Sequence, residues 1–120
     1  MKIIFTFLLL FSKLPLKILY LFSDFMLFVI YHLVGYRRKV VLENLQNSFP
    51  NKSKEEIKSI EKKFYINFCD YLAETFKSFT ISSTELRVRV QHLNQDIFQE
   101  AKQENKNVIL LAGHIFNWEW

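Results

Sequence analysis

The sequence has few of the residues that make tight turns or cross-links. Of its 120 residues, two are glycine and one, Cys69, is cysteine. Few glycines leave few tight turns, which predicts a largely helical body. A single cysteine excludes a disulfide framework within the chain and favours a reducing compartment. Three scattered histidines without a cysteine pair give no metal-binding spacing, so neither a metal nor another cofactor is expected.

Charged residues are almost missing from the first 36 positions, which hold Lys2, Lys13, Lys17 and Asp24. From Arg37 onward charge is frequent, so the chain divides into an apolar arm and an amphipathic body. The net charge of +4 suits contact with anionic lipid headgroups. Nucleic-acid binding is not expected, because lysine and arginine mix with glutamate along the predicted helices and form no single basic face.

The arm, residues 1–36, is predicted to be a retained membrane anchor. No A-x-A-like cleavage site follows its first apolar run, which argues against a removable signal peptide. In one arrangement residues 18–36 span the bilayer, with the basic residues 37–39 on the cytoplasmic side. In the other, residues 3–34 form two helices, broken at Pro15, that lie in the interface. A pair of buried helices in a larger soluble protein is the alternative without a membrane.

The middle of the chain, residues 37–80, predicts a helical region with two helices. The first covers residues 37–48 and ends near Pro50. The second begins at a capping box formed by Ser53 and Glu56. Its apolar residues recur at steps of three and four: Ile57, Ile60, Phe64, Phe68, Leu72, Phe76 and Phe79. A stripe at this spacing predicts a core face, with contact to lipid as the alternative.

Residues 81–120 change in pattern and predict the start of an α/β domain. Alternation in residues 86–93 indicates a half-buried strand. Residues 94–105 indicate a short helix, and the aliphatic run 107–112 indicates a strand buried on both faces. Strand, helix and buried strand would begin a parallel unit, incomplete within this chain. In such sheets functional residues collect beyond the carboxyl ends of the strands, where His114 lies.

His114 and Glu119 are the candidate catalytic pair. Positions five apart do not face one another on a helix or in a strand, so the chain must bend for these side chains to meet. Gly113 ends the predicted strand, and Asn117 is a good N-cap for a new helix. A carboxylate on one imidazole nitrogen leaves the other nitrogen as a base. That half of a triad suits acyl transfer to an alcohol or amine; a surface histidine without a catalytic role is the alternative.

The terminal segment GHIFNWEW resembles the H-x4-D/E motif of the lipid A biosynthesis (lauroyl/myristoyl) acyltransferase family, whose usual form is GH-x-x-NWE. Three upstream stretches are similar to the N-terminal half of that family, in the style of its Bacteroidota members: SKLPLKILYLFSD, GYRRKVVLENLQNSFPNKS and FYINFCDYLAETFK. The resemblance covers nearly the whole chain. Because family members are much longer, the chain is expected to be an N-terminal fragment that has no activity alone.

The resemblance implies an inner-membrane enzyme whose catalytic part faces the cytoplasm. Such an enzyme transfers a fatty acyl chain from acyl carrier protein, or from acyl-CoA, to a hydroxyl group of a lipid A precursor. His114 maps to the general base and Glu119 to the acid that orients it. Gly113, Asn117 and Trp118 match motif residues expected to shape the turn. The alternatives are acylation of another lipid acceptor (a glycerophospholipid or an aminolipid) and a non-catalytic, membrane-anchored interaction protein.

Overall fold

The computed structural model of the protein describes residues 2–91, 93–111, 113, 117 and 120, and every regular element in this part is helical. The elements are α1 (Lys2–Ser12), α2 (Leu16–Leu27), a π-helical segment (Phe28–Val34), α3 (Arg38–Ser48), α4 (Lys54–Ser78), α5 (Ser83–Arg89) and α6 (Gln95–Gln103). The chain divides into two compact units, Met1–Thr80 and Ile81–Trp120.

The long helix α4 is the centre of the first unit. Helix α2 packs along it, and α1 and α3 also contact it. The buried side chains of α4 recur at every fourth position: Ile57, Glu61, Tyr65, Cys69, Ala73 and Lys77. Only Ile57 of the predicted apolar stripe belongs to this row, whereas Phe64 and Phe79 are exposed. The small side chains of Cys69 and Ala73 allow α2 to approach closely, which a row of phenylalanines would prevent.

Helix α4 begins at the predicted capping box, which the structure confirms. The backbone N–H of Glu56 donates to Ser53 Oγ at 3.2 Å, and the N–H of Ser53 donates to Glu56 Oε2 at 2.8 Å. The backbone hydrogen bond from Ser53 lowers the pKa of the Glu56 carboxyl. Two otherwise unpaired N–H groups at the helix start are therefore satisfied by side chains.

Replacing Ser53 with alanine is expected to destabilise the first unit by about 1 kcal/mol, because one N–H group of the first turn loses its acceptor. Thermal unfolding followed by circular dichroism measures the loss, with Ser59→Ala as a control within the helix. The pKa of Glu56 is lower in the folded protein than in the unfolded chain. Its carboxylate therefore stabilises the fold fully above the unfolded pKa, and this stabilisation is lost as the pH falls through the folded pKa. Wild type and Glu56→Gln should therefore converge in acid, whereas the gap to Ser53→Ala should remain, because the Ser53 hydroxyl does not titrate; an undiminished gap to Glu56→Gln in acid would contradict this origin.

Two turns set the course of the chain through the first unit. Pro15 separates α1 from α2, because its ring removes an N–H donor and disfavours a continuous helix. The π-helical segment ends at Gly35, whose φ of 62° is left-handed and whose N–H donates to the carbonyl of Ile30. Helix α3 then begins after Arg37, which is also left-handed with φ 51°. The predicted helix over residues 37–48 is confirmed as α3.

The predicted α/β architecture is wrong, and helix α5 accounts for part of the error. Residues 86–93 are predicted to form a strand, but residues 86–89 lie within α5, which ends at Arg89. Ser82 caps this helix, since its Oγ accepts the N–H of Glu85 at 3.1 Å. Arg89 donates to Glu85 at 3.4 Å across one turn. A capped helix satisfies its own backbone hydrogen bonds, whereas a strand requires a neighbour.

The aliphatic run accounts for the rest of the error. Residues 107–111 form neither a helix nor a strand, and the side chains of Ile109 and Leu111 are 87% and 92% exposed. A strand buried on both faces needs partner strands. The described part of the chain contains none, so the run has nothing to pair with. The intervening helix was predicted correctly and is observed as α6.

Candidate functional site

The terminal segment contains the predicted catalytic motif, and two of its five residues are described. Gly113 is exposed and Asn117 is half-buried. The backbone N–H of Trp120 donates to the carbonyl of Asn117 at 3.3 Å, at the spacing of a tight turn. The other three motif residues lie outside the described residues: His114, Trp118 and Glu119. The predicted pairing of the histidine with the glutamate therefore stays a prediction.

A cavity of about 710 Å³ in the second unit includes Trp120 in its wall. Trp120 directly follows Glu119 in the chain. The lining combines apolar, amide and cationic side chains: Leu86, Arg87, Val90, Gln91, Leu93, Gln95 and Trp120. Its volume falls within the ~300–1,000 Å³ typical of small-ligand sites. Such a lining suits an amphiphilic anion. In the part of the chain that the structure describes, no group of His, Cys, Asp and Glu could hold a metal ion.

The apolar arm turns many large side chains outward, and together they form a surface that we name the lipid face. Its members lie on α1 and α2: Ile3, Ile4, Phe5, Phe7, Leu10, Ile18, Leu21, Phe22 and Phe25. Ile3 is 86% exposed, and Leu21 is 69% exposed. The stretch Leu16–Val34 is 19 residues long and apolar enough to cross a membrane by length and composition. An exposed apolar surface of this kind marks contact with a membrane or a protein partner.

Polar side chains attach the inner side of the arm to α4. Ser23 Oγ donates to Asp70 Oδ1 at 2.5 Å, and Tyr20 Oη donates to Glu74 Oε1 at 2.7 Å. Ser23 is buried, while its neighbours Phe22 and Phe25 face outward. The first unit thus buries polar side chains beside its apolar core and exposes many large apolar side chains, which is unusual for a soluble protein. Apolar surroundings favour such an arrangement, because buried polar groups must find partners there.

The C-terminal end of α4 satisfies the backbone groups that the break at Pro15 leaves unpaired. Lys77 Nζ donates to the carbonyl of Leu14 at 3.1 Å, and Thr80 Oγ1 donates to the carbonyl of Ser12 at 2.6 Å. The last carbonyl groups of a helix find no N–H donor within the helix, so they need donors from elsewhere. These two hydrogen bonds fix the corner between α1 and α2 against the body of the protein.

A partly buried ion pair lies where the arm joins the body, between the first residue of α3 and the first half of α4. Arg38 Nε donates to Glu61 Oε1 at 2.7 Å, and the Glu61 side chain is 1% exposed. The guanidinium also lies over the ring of Tyr31, with Cζ 4.7 Å from the ring centroid. Tyr31 Oη donates to Glu61 Oε2 at 3.4 Å. The hydrogen bond that Arg38 donates to Glu61 raises the pKa of the Arg38 guanidinium, which therefore stays charged.

Tyr65 extends this cluster to the turn between the π-helical segment and α3. Its Oη donates to the carbonyl of Tyr36 at 2.6 Å. Burial, and next the charge of Glu61, raise the pKa of the Tyr65 phenol, which keeps its proton for this hydrogen bond. Burial likewise raises the pKa of Cys69, with Asp70 adding to the effect. A buried thiol with a raised pKa is unreactive, so Cys69 serves as a packing residue.

The arginine–glutamate cluster and the polar partners of the arm were not identified from the sequence. Ser23 gave a usable signal, because a small polar residue within an apolar helix requires a buried partner. Glu61 gave another, since it lies four positions after Ile57 and four before Tyr65 on one helix face. The sequence interpretation followed the phenylalanines instead and so missed the adjacent row that is buried.

One comparison with known proteins finds a match. A family model described as "Bacterial lipid A biosynthesis acyltransferase" matches residues 2–120. No curated protein and no solved structure matches the chain. The family match extends over both compact units, so the arm, the helical region and the terminal motif all lie within it.

Proposed function

The chain belongs to the bacterial lipid A biosynthesis acyltransferase family, and we propose that it acts in transferring a fatty acyl chain to a hydroxyl group of a lipid A precursor. The donor is acyl carrier protein or coenzyme A, charged with the acyl chain as a thioester. The observation that carries the proposal is the segment GHIFNWEW within a family match that includes it. The match supports acyl transfer; the motif supplies the residues for it.

His114 and Glu119 perform the proton transfer in this proposal. The imidazole removes the proton from the acceptor hydroxyl as the oxygen attacks the thioester carbonyl. The tetrahedral intermediate then collapses, the C–S bond breaks, and the imidazolium returns the proton to the leaving thiolate. Glu119 holds the imidazole in the tautomer whose free nitrogen faces the acceptor. One ester forms for each thioester consumed, and the two residues end in their initial protonation states.

The lipid face supports a location at the membrane, with the arm lying in the interface. Helix α2 packs along α4, whose exposed residues include Lys62 and Lys63. An arm that crossed the bilayer would carry these charges into the hydrocarbon, at ~2.5–3.5 kcal/mol each near its centre. An interfacial arm instead places its apolar side in the acyl region and leaves α4 on the polar side. A protein held at the membrane surface in this way can meet both a membrane lipid and a water-soluble thioester.

The body of the protein faces the cytoplasm at the inner membrane. Arg37, Arg38 and Lys39 directly follow the arm, and clusters of basic residues beside apolar segments favour the cytoplasmic side. Both proposed acyl donors are cytoplasmic molecules. The single cysteine is also compatible with a reducing compartment.

Replacing Leu21 and Phe25 together with glutamate is expected to release the protein from membranes, lowering its partition coefficient at least about tenfold. Each is a large apolar side chain on the lipid face, and burying one fully is worth ~1.5–3 kcal/mol. Flotation with vesicles measures the change. The matched control replaces Val88 and Leu93, two exposed apolar residues of the second unit, with glutamate. Equal release by both pairs would contradict a membrane-binding role of the arm.

The proposed activity is tested with the enzyme expressed from its complete reading frame, which is purified and incubated with a radiolabelled acyl thioester and a lipid A precursor. A labelled lipid A product is the expected result, with acyl-CoA and acyl carrier protein compared as donors in parallel. A glycerophospholipid and an aminolipid serve as competing acceptors. Label appearing only in one of these acceptors would overturn lipid A as the substrate and retain the acyl-transfer chemistry. Label in no acceptor, with intact folded protein, would contradict the proposed function as a whole.

A further inference from the structure

A groove between α3 and α4 is separate from the terminal motif and unused by the proposed reaction. Its volume is about 280 Å³, just below the ~300–1,000 Å³ of typical small-ligand sites. The lining comes from the turn before α3, from α3 and from α4: Tyr36, Arg37, Val40, Val41, Asn44, Phe64, Tyr65 and Phe68. Apolar and aromatic surface dominates, with one cation, and none of these described lining residues is acidic. The groove therefore has the chemistry of a site for an amphiphilic anion.

Stacked aromatic rings form one wall of the groove. The rings of Phe64 and Phe68 have centroids 6.1 Å apart and planes inclined by 11°, and Tyr36 stacks on Phe68 with centroids 6.3 Å apart. Three rings in one row give a flat, rigid apolar surface. Val40 and Val41 face them from α3. A hydrocarbon chain can lie against such a surface without requiring hydrogen bonds from it.

Arg37 contributes the cation, and its backbone is held in an unfavourable conformation. Its φ is 51°, in the left-handed region that residues other than glycine rarely adopt. The adjoining residues are anchored on both sides: the carbonyl of Tyr36 accepts from Tyr65, and Arg38 pairs with buried Glu61. Among the residues that the structure describes, none forms a hydrogen bond or ion pair with the Arg37 guanidinium. The strained turn thus presents a charged group to solvent at the groove.

We propose that this groove binds an anionic membrane phospholipid, with the phosphate on Arg37 and one acyl tail along the rings of Phe64 and Phe68. Charge complementarity selects the headgroup, and the apolar lining selects the tail. The chain itself supports this location, because Tyr36 and Arg37 lie two and three positions after Val34, where the candidate membrane stretch ends. The size of the groove suits part of one tail, with the remainder of the lipid in the bilayer. The site involves neither His114 nor Glu119 and does not depend on the proposed acyl transfer.

Photo-crosslinking tests the proposal. The protein is reconstituted into phosphatidylcholine vesicles containing a small fraction of phosphatidylglycerol that carries a diazirine in its acyl tail, and labelled peptides are identified by mass spectrometry. Labelling is expected within residues 40–44 and 64–68, besides the arm. A phosphatidylcholine probe with the same tail should label these residues about fivefold less, since one basic residue near an anionic headgroup is worth ~1 kcal/mol.

Variants separate the groove from general attraction to a basic surface. Arg37→Gln should reduce phosphatidylglycerol labelling of the groove about fivefold. Lys39→Gln is the matched control, because Lys39 is a neighbouring exposed cation that does not line the groove. In this variant the labelling of the groove should stay unchanged. Val40→Trp should also reduce labelling, since the larger ring fills the space without altering charge. Circular dichroism confirms that each variant retains the helical content of the wild type.

Three results would overturn the proposal. Equal losses in Arg37→Gln and Lys39→Gln would show attraction to the basic surface as a whole. Equal labelling by the two headgroups would show that Arg37 does not select the ligand. Displacement of the probe by equimolar lipid A precursor or acyl thioester would assign the groove to a substrate and not to a phospholipid.

Discussion

Replacing His114 with alanine is expected to lower the rate of acyl transfer by about 10²–10⁴-fold, the usual contribution of a positioned general base. The loss should appear equally in kcat and kcat/KM, because the proton transfer stabilises the transition state and not the bound substrate. Glu119→Gln should lose less than His114→Ala, since the imidazole remains but is held less well.

The other histidines provide matched controls for this prediction. His92→Ala and His32→Ala remove the same side chain elsewhere in the chain and should leave the rate within about twofold of the wild type. Steady-state assays with the labelled thioester give both kinetic constants. A rise in KM with kcat unchanged would show that His114 only binds substrate. An unchanged rate would remove His114 from the reaction.

Replacing Arg38 with methionine is expected to destabilise the first unit by about 2–4 kcal/mol. The reason is that Glu61 would keep a buried charge without its partner, and breaking a buried pair in this way typically costs ~3–5 kcal/mol. We expect somewhat less here, because the Arg38 side chain is 41% exposed and water can reach its place. For a unit of this size the midpoint of thermal unfolding should fall by roughly 10 °C or more.

Replacing Glu61 with methionine should destabilise the first unit less than Arg38→Met does. This difference distinguishes an unpaired buried charge from a loss of packing. Glu61→Met leaves Arg38 charged, but its guanidinium is partly exposed and can be hydrated. The double variant Arg38→Met with Glu61→Met should recover much of the stability lost in Arg38→Met, because no uncompensated charge remains. Lys39→Met breaks only an exposed pair with Glu43, at 3.9 Å, and should change stability by less than about 0.5 kcal/mol. A double variant as unstable as Arg38→Met would contradict the argument.

The sequence predicted the helices well where local signals agreed. Ser53 and Glu56 marked the start of α4 because the capping box is a local structure, made by residues three apart. Residues 86–93 were assigned to a strand because apolar and charged residues alternate there. That assignment was unsafe, since an alternation this short also fits one or two turns of a helix. The deciding signal was Ser82 with Glu85, since the Ser82 hydroxyl accepts the N–H of Glu85 and so forms one half of the capping box that Ser53 and Glu56 complete.

The interior of the first unit could not be predicted from periodicity alone. The phenylalanine stripe of α4 has helical spacing, yet the buried row beside it contains Glu61 and Lys77. Periodicity identifies an apolar face on the assumption that water lies on the other side. A protein that rests on lipid reverses this preference for part of its surface, so apolar side chains turn outward and paired polar groups turn inward. The exposed apolar side chains of α1 and α2 and the buried Glu61 both depart from that assumption.

For the terminal motif, residue identity was a better guide than the predicted architecture. Its residues were recognised from their identity and spacing, and the family match covers them. The geometry that would join His114 to Glu119 depends on the chain bending between them, and the aliphatic run before it did not form the strand on which the expected geometry was based. Recognition of the family through residue types is thus confirmed, whereas the predicted architecture around the motif is wrong and the roles of its residues stay a prediction.

The most direct test of the account is the composition of lipid A in the native host. The chromosomal gene is altered to encode His114→Ala, and lipid A is extracted and measured by mass spectrometry beside the wild type and His92→Ala. The account predicts lipid A that lacks one acyl chain in His114→Ala alone, with the variant protein still present in the membrane fraction at the wild-type level. Unchanged lipid A under those conditions would contradict the assignment of His114 as the catalyst of lipid A acylation.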